Sequence, residues 1–223
     1  MSKSILRESP LVRFNLVAST VSAVAREQIQ VWERPFCGHI NLRGDPVDAI
    51  FMKAVKGELG FELPLQANTV IERQEVSAFW LGPNEWLIVT PGGLESSIAQ
   101  GLRSALKGLF CAVTEVSGGQ TIIALRGQKV LDLLAKGCPL DLHPREFGAG
   151  RCAQSHLAKA PILLHQTDTE PTFELIARRS FSDYLWLWLQ DAAAEFGLVV
   201  VTPPATIKEH GKPSPELHAL NIS

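Results

Sequence analysis

The residues of this chain best suited to chemistry are Cys138 and His143, followed by Cys152 and His156. Two thiolates and two imidazoles are suitable ligands for tetrahedral zinc. The spacings, Cys138-x4-His143 and Cys152-x3-His156, are not those of a zinc knuckle, which opens with a tight C-x2-C pair. Cys138 also closes a helix that buries its apolar side, where cysteine packs as a small hydrophobe. Packing is therefore the stronger reading. Cys138 and His143 match no cysteine-hydrolase signature, and Ser117-Gly118-Gly119 lies outside a G-x-S-x-G elbow. Pro91-Gly92-Gly93, between a strand and a helix, offers donors for an anion, but a connecting turn explains it equally well. Glu72, Glu75, Asp168 and Glu170 fall in polar connections, where solvated charge is the default. No Walker A or G-x-G-x-x-G run is present. No residue is assigned a catalytic, cofactor-binding or metal-ligating role.

The elements that would position these residues come in a repeat. Leu42-Arg43-Gly44 and Leu125-Arg126-Gly127 each end a short apolar run that reads as a strand. A helix follows each. Val47, Ile50, Phe51, Ala54 and Val55 form one apolar stripe, and Val130, Leu133 and Leu134 the other. A strand pair comes next: 78–81 with 85–90, and 160–165 with 172–177. Second helices follow, striped by Leu94, Ile98, Leu102 and Ala105, and by Phe181, Leu185, Trp188, Leu189, Ala192 and Phe196. Final strands close the halves at 110–116 and 196–202. The order β-α-β-β-α-β thus occurs twice, at nearly equal offsets. Each is a split βαβ, or ferredoxin-like, unit. The sequence predicts an α+β fold of two tandem ferredoxin-like halves related by a pseudo-two-fold axis. Residues 1–38 read as a lead-in, 39–116 as the first half, 117–202 as the second, and 203–223, with four prolines, as a flexible tail.

Composition limits the function classes. The 223 residues are enough for a real core, and 46% apolar with 20% charged is a globular profile. A net charge of −2 gives no basic field for nucleic acid. No apolar run reaches the roughly 18 residues of a membrane span, and the N-terminus does not read as a signal peptide. The four cysteines lack a disulfide-framework spacing, which suits reduced thiols in the cytoplasm. In the last helix the 3.6-residue period puts Trp188 in the core stripe and turns Trp186 and Leu187 away from it. A Trp outside the core fits a protein–protein contact, so Trp186 and Leu187 are the first candidates for an interface.

Five stretches give the chain a family resemblance. They are Phe79-Trp80-Leu81-Gly82-Pro83-Asn84-Glu85-Trp86-Leu87, residues 115–121, residues 135–144 around Cys138, residues 150–157 around Cys152, and residues 179–189 around Trp186. In these the chain resembles the sarcosine oxidase gamma-subunit family. That family is similar in fold to the folate-binding domain of aminomethyltransferases, which agrees with the repeat. The resemblance implies a non-catalytic subunit that stabilises a heterotetramer with alpha, beta and delta subunits. The whole assembly would oxidise sarcosine to glycine, giving hydrogen peroxide and 5,10-methylenetetrahydrofolate, or formaldehyde without folate. It implies no cofactor in this chain. FAD, FMN, NAD, zinc and tetrahydrofolate would sit in the other subunits, with flavin chemistry in beta, NAD and folate in alpha, and zinc in delta. The competing readings are a stand-alone tetrahydrofolate-binding aminomethyltransferase-like protein and a zinc regulator built on Cys138, His143, Cys152 and His156.

Overall fold

The computed structural model describes residues 7–16 and 29–202. The expected tail, 203–223, lies outside the described residues. The first unit contains β2 (Gly38–Arg43), α1 (Ala49–Leu59), β3 (Val70–Arg73), β4 (Val76–Gly82), β5 (Glu85–Thr90), α2 (Glu95–Ala105) and β6 (Ala112–Glu115), preceded by β1 (Ile29–Arg34). The second contains β7 (Gln120–Arg126), α3 (Val130–Ala135), β8 (Cys152–Leu157), β9 (Ala160–Gln166), β10 (Thr172–Arg178), α4 (Ser182–Ala192) and β11 (Leu198–Val200).

Two sheets result. One has the order β3-β4-β5-β2-β6 and is antiparallel throughout. The other has the order β11-β1-β7-β10-β9-β8. The sheets share the expected helix crossovers but differ at one place. In the first, β6 pairs directly with β2. In the second, β1 stands between β7 and β11, antiparallel to one and parallel to the other. Residues 1–38 are therefore not merely a lead-in, because 29–34 form an interior strand of the second unit's sheet. Ile29 and Val31 give β1 its core-facing side and are fully buried.

Local chemistry fixes the helices. Asp48 caps α1, its carboxylate accepting from the Ile50 and Phe51 amides. The Leu42-Arg43-Gly44 strand end needs glycine because the Phe51 ring comes within 2.2 Å of where a Cβ would lie. Phe51 and Val55 are buried as expected, but Val47 and Ile50 are exposed. The stripe on α2 is also rotated. Leu94 is exposed and Glu95 is buried, because Glu95 turns back to accept from the Gly93 amide.

The helices lie on the outer faces, and the inner faces of the sheets meet. One core joins α1 and α2 to Ile40, Leu42, Trp86 and Ile88. Another joins α3 and α4 to Val31, Ile123, Leu125 and Leu175. Between the sheets lies a smaller cluster of Phe79, Leu87, Val89, Ile122, Cys152, Leu163 and Ile176. One pair of sheet edges is stitched together by the Thr69–Arg151 bridge and the Val70 amide bonded to the Gly150 carbonyl.

The sequence reading of α4 needs one correction. Trp186 is buried at 2% exposure, with Ser182, Leu185 and Leu189. Its ring packs 6.0 Å from Phe14, beside the Val12–Phe14 turn. The N-terminal residues cover the face that the helical period leaves open. Leu187 remains exposed. Leu11 sits in the same core. Leu11→Ala is expected to cost about 2–4 kcal/mol in urea unfolding; a loss below about 0.5 kcal/mol would show that residues 7–16 do not dock.

Candidate functional site

Side chains alternate along each strand, so the residues not packed under helices face the gap between the sheets. Towards one end the sheets splay and leave a groove of about 970 Å³. Asn41 and Arg43 of β2, Glu85 of β5 and Thr114 of β6 line it from one side. Gln154 and His156 of β8 and Arg178 of β10 line it from the other. Leu81, Leu87, Leu163 and Ile176 form an apolar part of its wall. Glu85 accepts from Asn41 Nδ2 and Arg43 Nη2, both at 2.8 Å. Gln154 donates to the Leu81 carbonyl across the seam at 2.8 Å.

At the other end of the seam the polar groups are buried. Glu174 of β10 is bonded to Arg34 of β1. His165 Nδ1 stands 3.6 Å from the second Glu174 oxygen, and the Phe79 ring meets the His165 ring edge-on at 5.1 Å. Burial alone would raise the Glu174 carboxyl; the neighbouring His165 and Arg34 outweigh it and hold the group down at about 2. His39 of β2 is buried, with Nδ1 3.0 Å from the Cys37 carbonyl. Burial, aided by the Arg34 charge, lowers its imidazole to about 4. Arg34, His165 and Glu174 all belong to the second sheet, and the Phe79 ring of β4 reaches across the gap to His165.

The residues singled out in the sequence do not assemble. Cys138 belongs to the helix-side core, with its sulfur 4.0 Å from Ser155 Oγ. Cys152 faces the seam, 3.5 Å from the Thr69 carbonyl, and burial raises its thiol to about 12. The two thiols thus lie on opposite faces of β8. His143 accepts from the Arg145 amide in an exposed turn. No group of three metal-ligating residues occurs among the described residues. Ser117 holds the His39 backbone, accepting from its amide at 3.0 Å. Pro91-Gly92-Gly93 does hold an anion, but it is the chain's own Glu95, 2.6 Å from the Gly93 amide. Glu170 pairs with Arg126, Asp168 accepts from the Thr172 amide, and Glu72 accepts from Ser77. Glu75 is exposed.

The sarcosine oxidase, gamma subunit family matches residues 43–195, a span holding most of both sheets and every groove-lining residue named above except Asn41. The chain belongs to this family. Among gamma-subunit relatives, that of Corynebacterium sp. (strain P-1) is 33% identical over 201 residues, covering 88% of this chain and 97% of that one. A chain of the heterotetrameric sarcosine oxidase from Corynebacterium sp. U-96, solved with pyrrole 2-carboxylate, superposes with a TM-score of 0.77 at 29% identity, covering 88% of this chain and 99% of that one. The glycine cleavage system aminomethyltransferase T from Bartonella henselae shares the fold, with a TM-score of 0.61 at 15% identity, over 85% of this chain and 58% of that one.

In this gamma-family chain the sequence reading missed the seam residues Arg34, His39, His165 and Glu174. They lie far apart in the chain and form no local motif. The alternation of β1 and β10 was the available signal for Arg34 and Glu174. Their titration has a definite sign. The unfolded chain protonates His39 near 6.5 and the folded chain only near 4. Stability is therefore full above about pH 6.5 and falls as pH drops towards 4, by about 3 kcal/mol. Protonation of Glu174 extends the fall from about pH 4.5 towards 2. Urea titrations at pH 7 and 5 should show this slope, and His39→Asn, which keeps the donor to the Cys37 carbonyl, should flatten it. Arg34→Met leaves the Glu174 carboxylate buried without its cation. A fully buried pair broken in this way loses about 3–5 kcal/mol. Because Arg34 reaches solvent, a loss of about 2–3 kcal/mol is expected, measured by the same unfolding.

Proposed function

We propose that this chain is the gamma subunit of a heterotetrameric sarcosine oxidase and supplies no catalytic residue to it. Its partners on this reading are the alpha, beta and delta subunits, in the cytoplasm. The assembly oxidises sarcosine to glycine and passes the one-carbon unit to tetrahydrofolate, with FAD, FMN, NAD, zinc and folate held outside this chain. The observation that carries the reading is the near-complete superposition on one chain of the solved heterotetramer. The placement of the seam supports it. Its titratable groups are buried and mutually engaged at one end, and the one carboxylate named in the groove, Glu85, is taken up by Asn41 and Arg43.

The same reading treats 39–116 and 117–202 as tandem ferredoxin-like halves related by a pseudo-two-fold. The sheet order supports this. α1 leads from β2 past β5 to the edge strand β3 and then β4, and α2 leads from β5 past β2 to β6, an order that resembles a split βαβ unit with β3 added at its edge. The second half departs from it by admitting β1. The alternative, a stand-alone aminomethyltransferase-like folate binder, draws on the shared fold but needs a free carboxylate in the groove.

Co-expression with the other three subunits tests the proposal. The expected product is a four-chain complex that forms hydrogen peroxide from sarcosine. Tetrahydrofolate titrated into the isolated chain should give no binding signal. A fully active, stable complex assembled without this chain would overturn the subunit reading.

A further inference from the structure

Among the described residues, the three most exposed large apolar side chains are Phe110, Val47 and Ile50. Of these, Phe110 lies by the groove. Arg43 at the end of β2 pairs with Ala112 at the start of β6, and both line the groove mouth. Phe110 lies two residues before Ala112, whereas Val47 and Ile50 belong to the helix layer, just before and within α1. The mouth is also charged. Arg178 lines it and takes part in none of the ion pairs among the described residues. Arg43 has its charge balanced by Glu85. The groove therefore presents one unbalanced cation near an exposed aromatic ring. The open edge of β6 bounds the same region. Its Val113 carbonyl already accepts two bonds from Arg103, at 3.2 and 3.1 Å, which disfavours pairing with a further strand there.

We infer that the groove mouth beside Phe110 is a docking surface for an extended, carboxylate-bearing segment of a partner subunit. The inference rests on the subunit reading above. The segment's carboxylate meets Arg178, and its apolar side chains cover Phe110 and reach the Leu81–Leu87 wall. Charge complementarity selects an acidic segment, because Arg43 and Arg178 of the lining face the single carboxylate Glu85. An exposed aromatic beside a pocket is a typical anchor for such contacts.

The test uses the co-expressed complex. Phe110→Ser and Arg178→Glu should each weaken retention of this chain by about tenfold on dilution, with the Arg178→Glu loss shrinking at high salt. Leu187→Ser, on the outer face of α4, should leave retention unchanged. Melting temperatures of the isolated variants check folding, and Phe110→Ala, a plain truncation of an exposed side chain, serves if Phe110→Ser is unstable. A photo-crosslinker at position 110 should attach to a partner segment containing Asp or Glu, read by mass spectrometry. A complex that forms but is indifferent to both substitutions overturns this surface and leaves the subunit reading intact. A crosslink to a basic segment overturns the stated chemistry. A wild-type chain that joins no complex overturns the subunit reading and this surface with it.

Discussion

The Glu174 carboxylate constrains how the second sheet can be built. It lies in the gap between the two sheets, almost out of water, and stays charged. An isolated buried carboxylate is too costly to keep, so a cation must be delivered to it. Arg34 does this from β1, a strand that enters the second sheet from the far N-terminus. The insertion of β1 between β7 and β11 is thus tied to the pairing of a charge. Without it, β7 would lack a neighbour on that side and Glu174 its partner. The His39 and His165 rings pack nearby, and the Glu174 carboxylate is balanced by the Arg34 guanidinium.

The rest of the seam follows from what each sheet puts opposite the other. Phe79, Leu87 and Val89 meet Ile122, Leu163 and Ile176 in the middle, and that apolar contact holds the sheets together. Beyond it the facing residues differ at the two ends. The inner positions of β1 are Trp32 and Arg34, large enough to fill the space. Those of β6 are Ala112 and Thr114, which are small and line an open groove. Strand β1 therefore closes one end of the gap between the sheets, and the other end stays open.

The sequence made the mixed α+β order with two sheets legible because Leu42-Arg43-Gly44 and Leu125-Arg126-Gly127 each end a strand, with Gly44 admitting the Phe51 ring. Both hairpins and all four helices were legible from periodicity. Three strands were not. β3 is short and half charged, and β8 reads Cys-Ala-Gln-Ser-His-Leu because one face lines a polar groove. β1 alternates well, but strand pattern alone does not say which sheet receives it. Trp186 shows the same limit on a helix. Its stripe with Leu185 and Leu189 competes with one through Trp188, and the choice depends on Phe14, which arrives from far away in sequence. The zinc reading failed for a related reason. Cys138 and Cys152 are close in sequence, but β8 separates them onto its two faces.

The polar residues of the seam divide by what stability requires of them. Arg34, His39, His165 and Glu174 are buried or paired, and substituting one disturbs the others. Arg178 and Phe110 contribute no such constraint. One has no counter-ion among the described residues, and the other has its whole surface in water. Folding alone gives little reason for a phenylalanine in that state, since burial of an aromatic ring is a large source of stabilisation. Unlike the cluster at the closed end, the mouth of the groove has interactions left to satisfy from outside the chain. A subunit reading accounts for that asymmetry: the charges buried in the gap are already matched within the chain, and the unmatched charge and exposed aromatic lie where another chain can reach them.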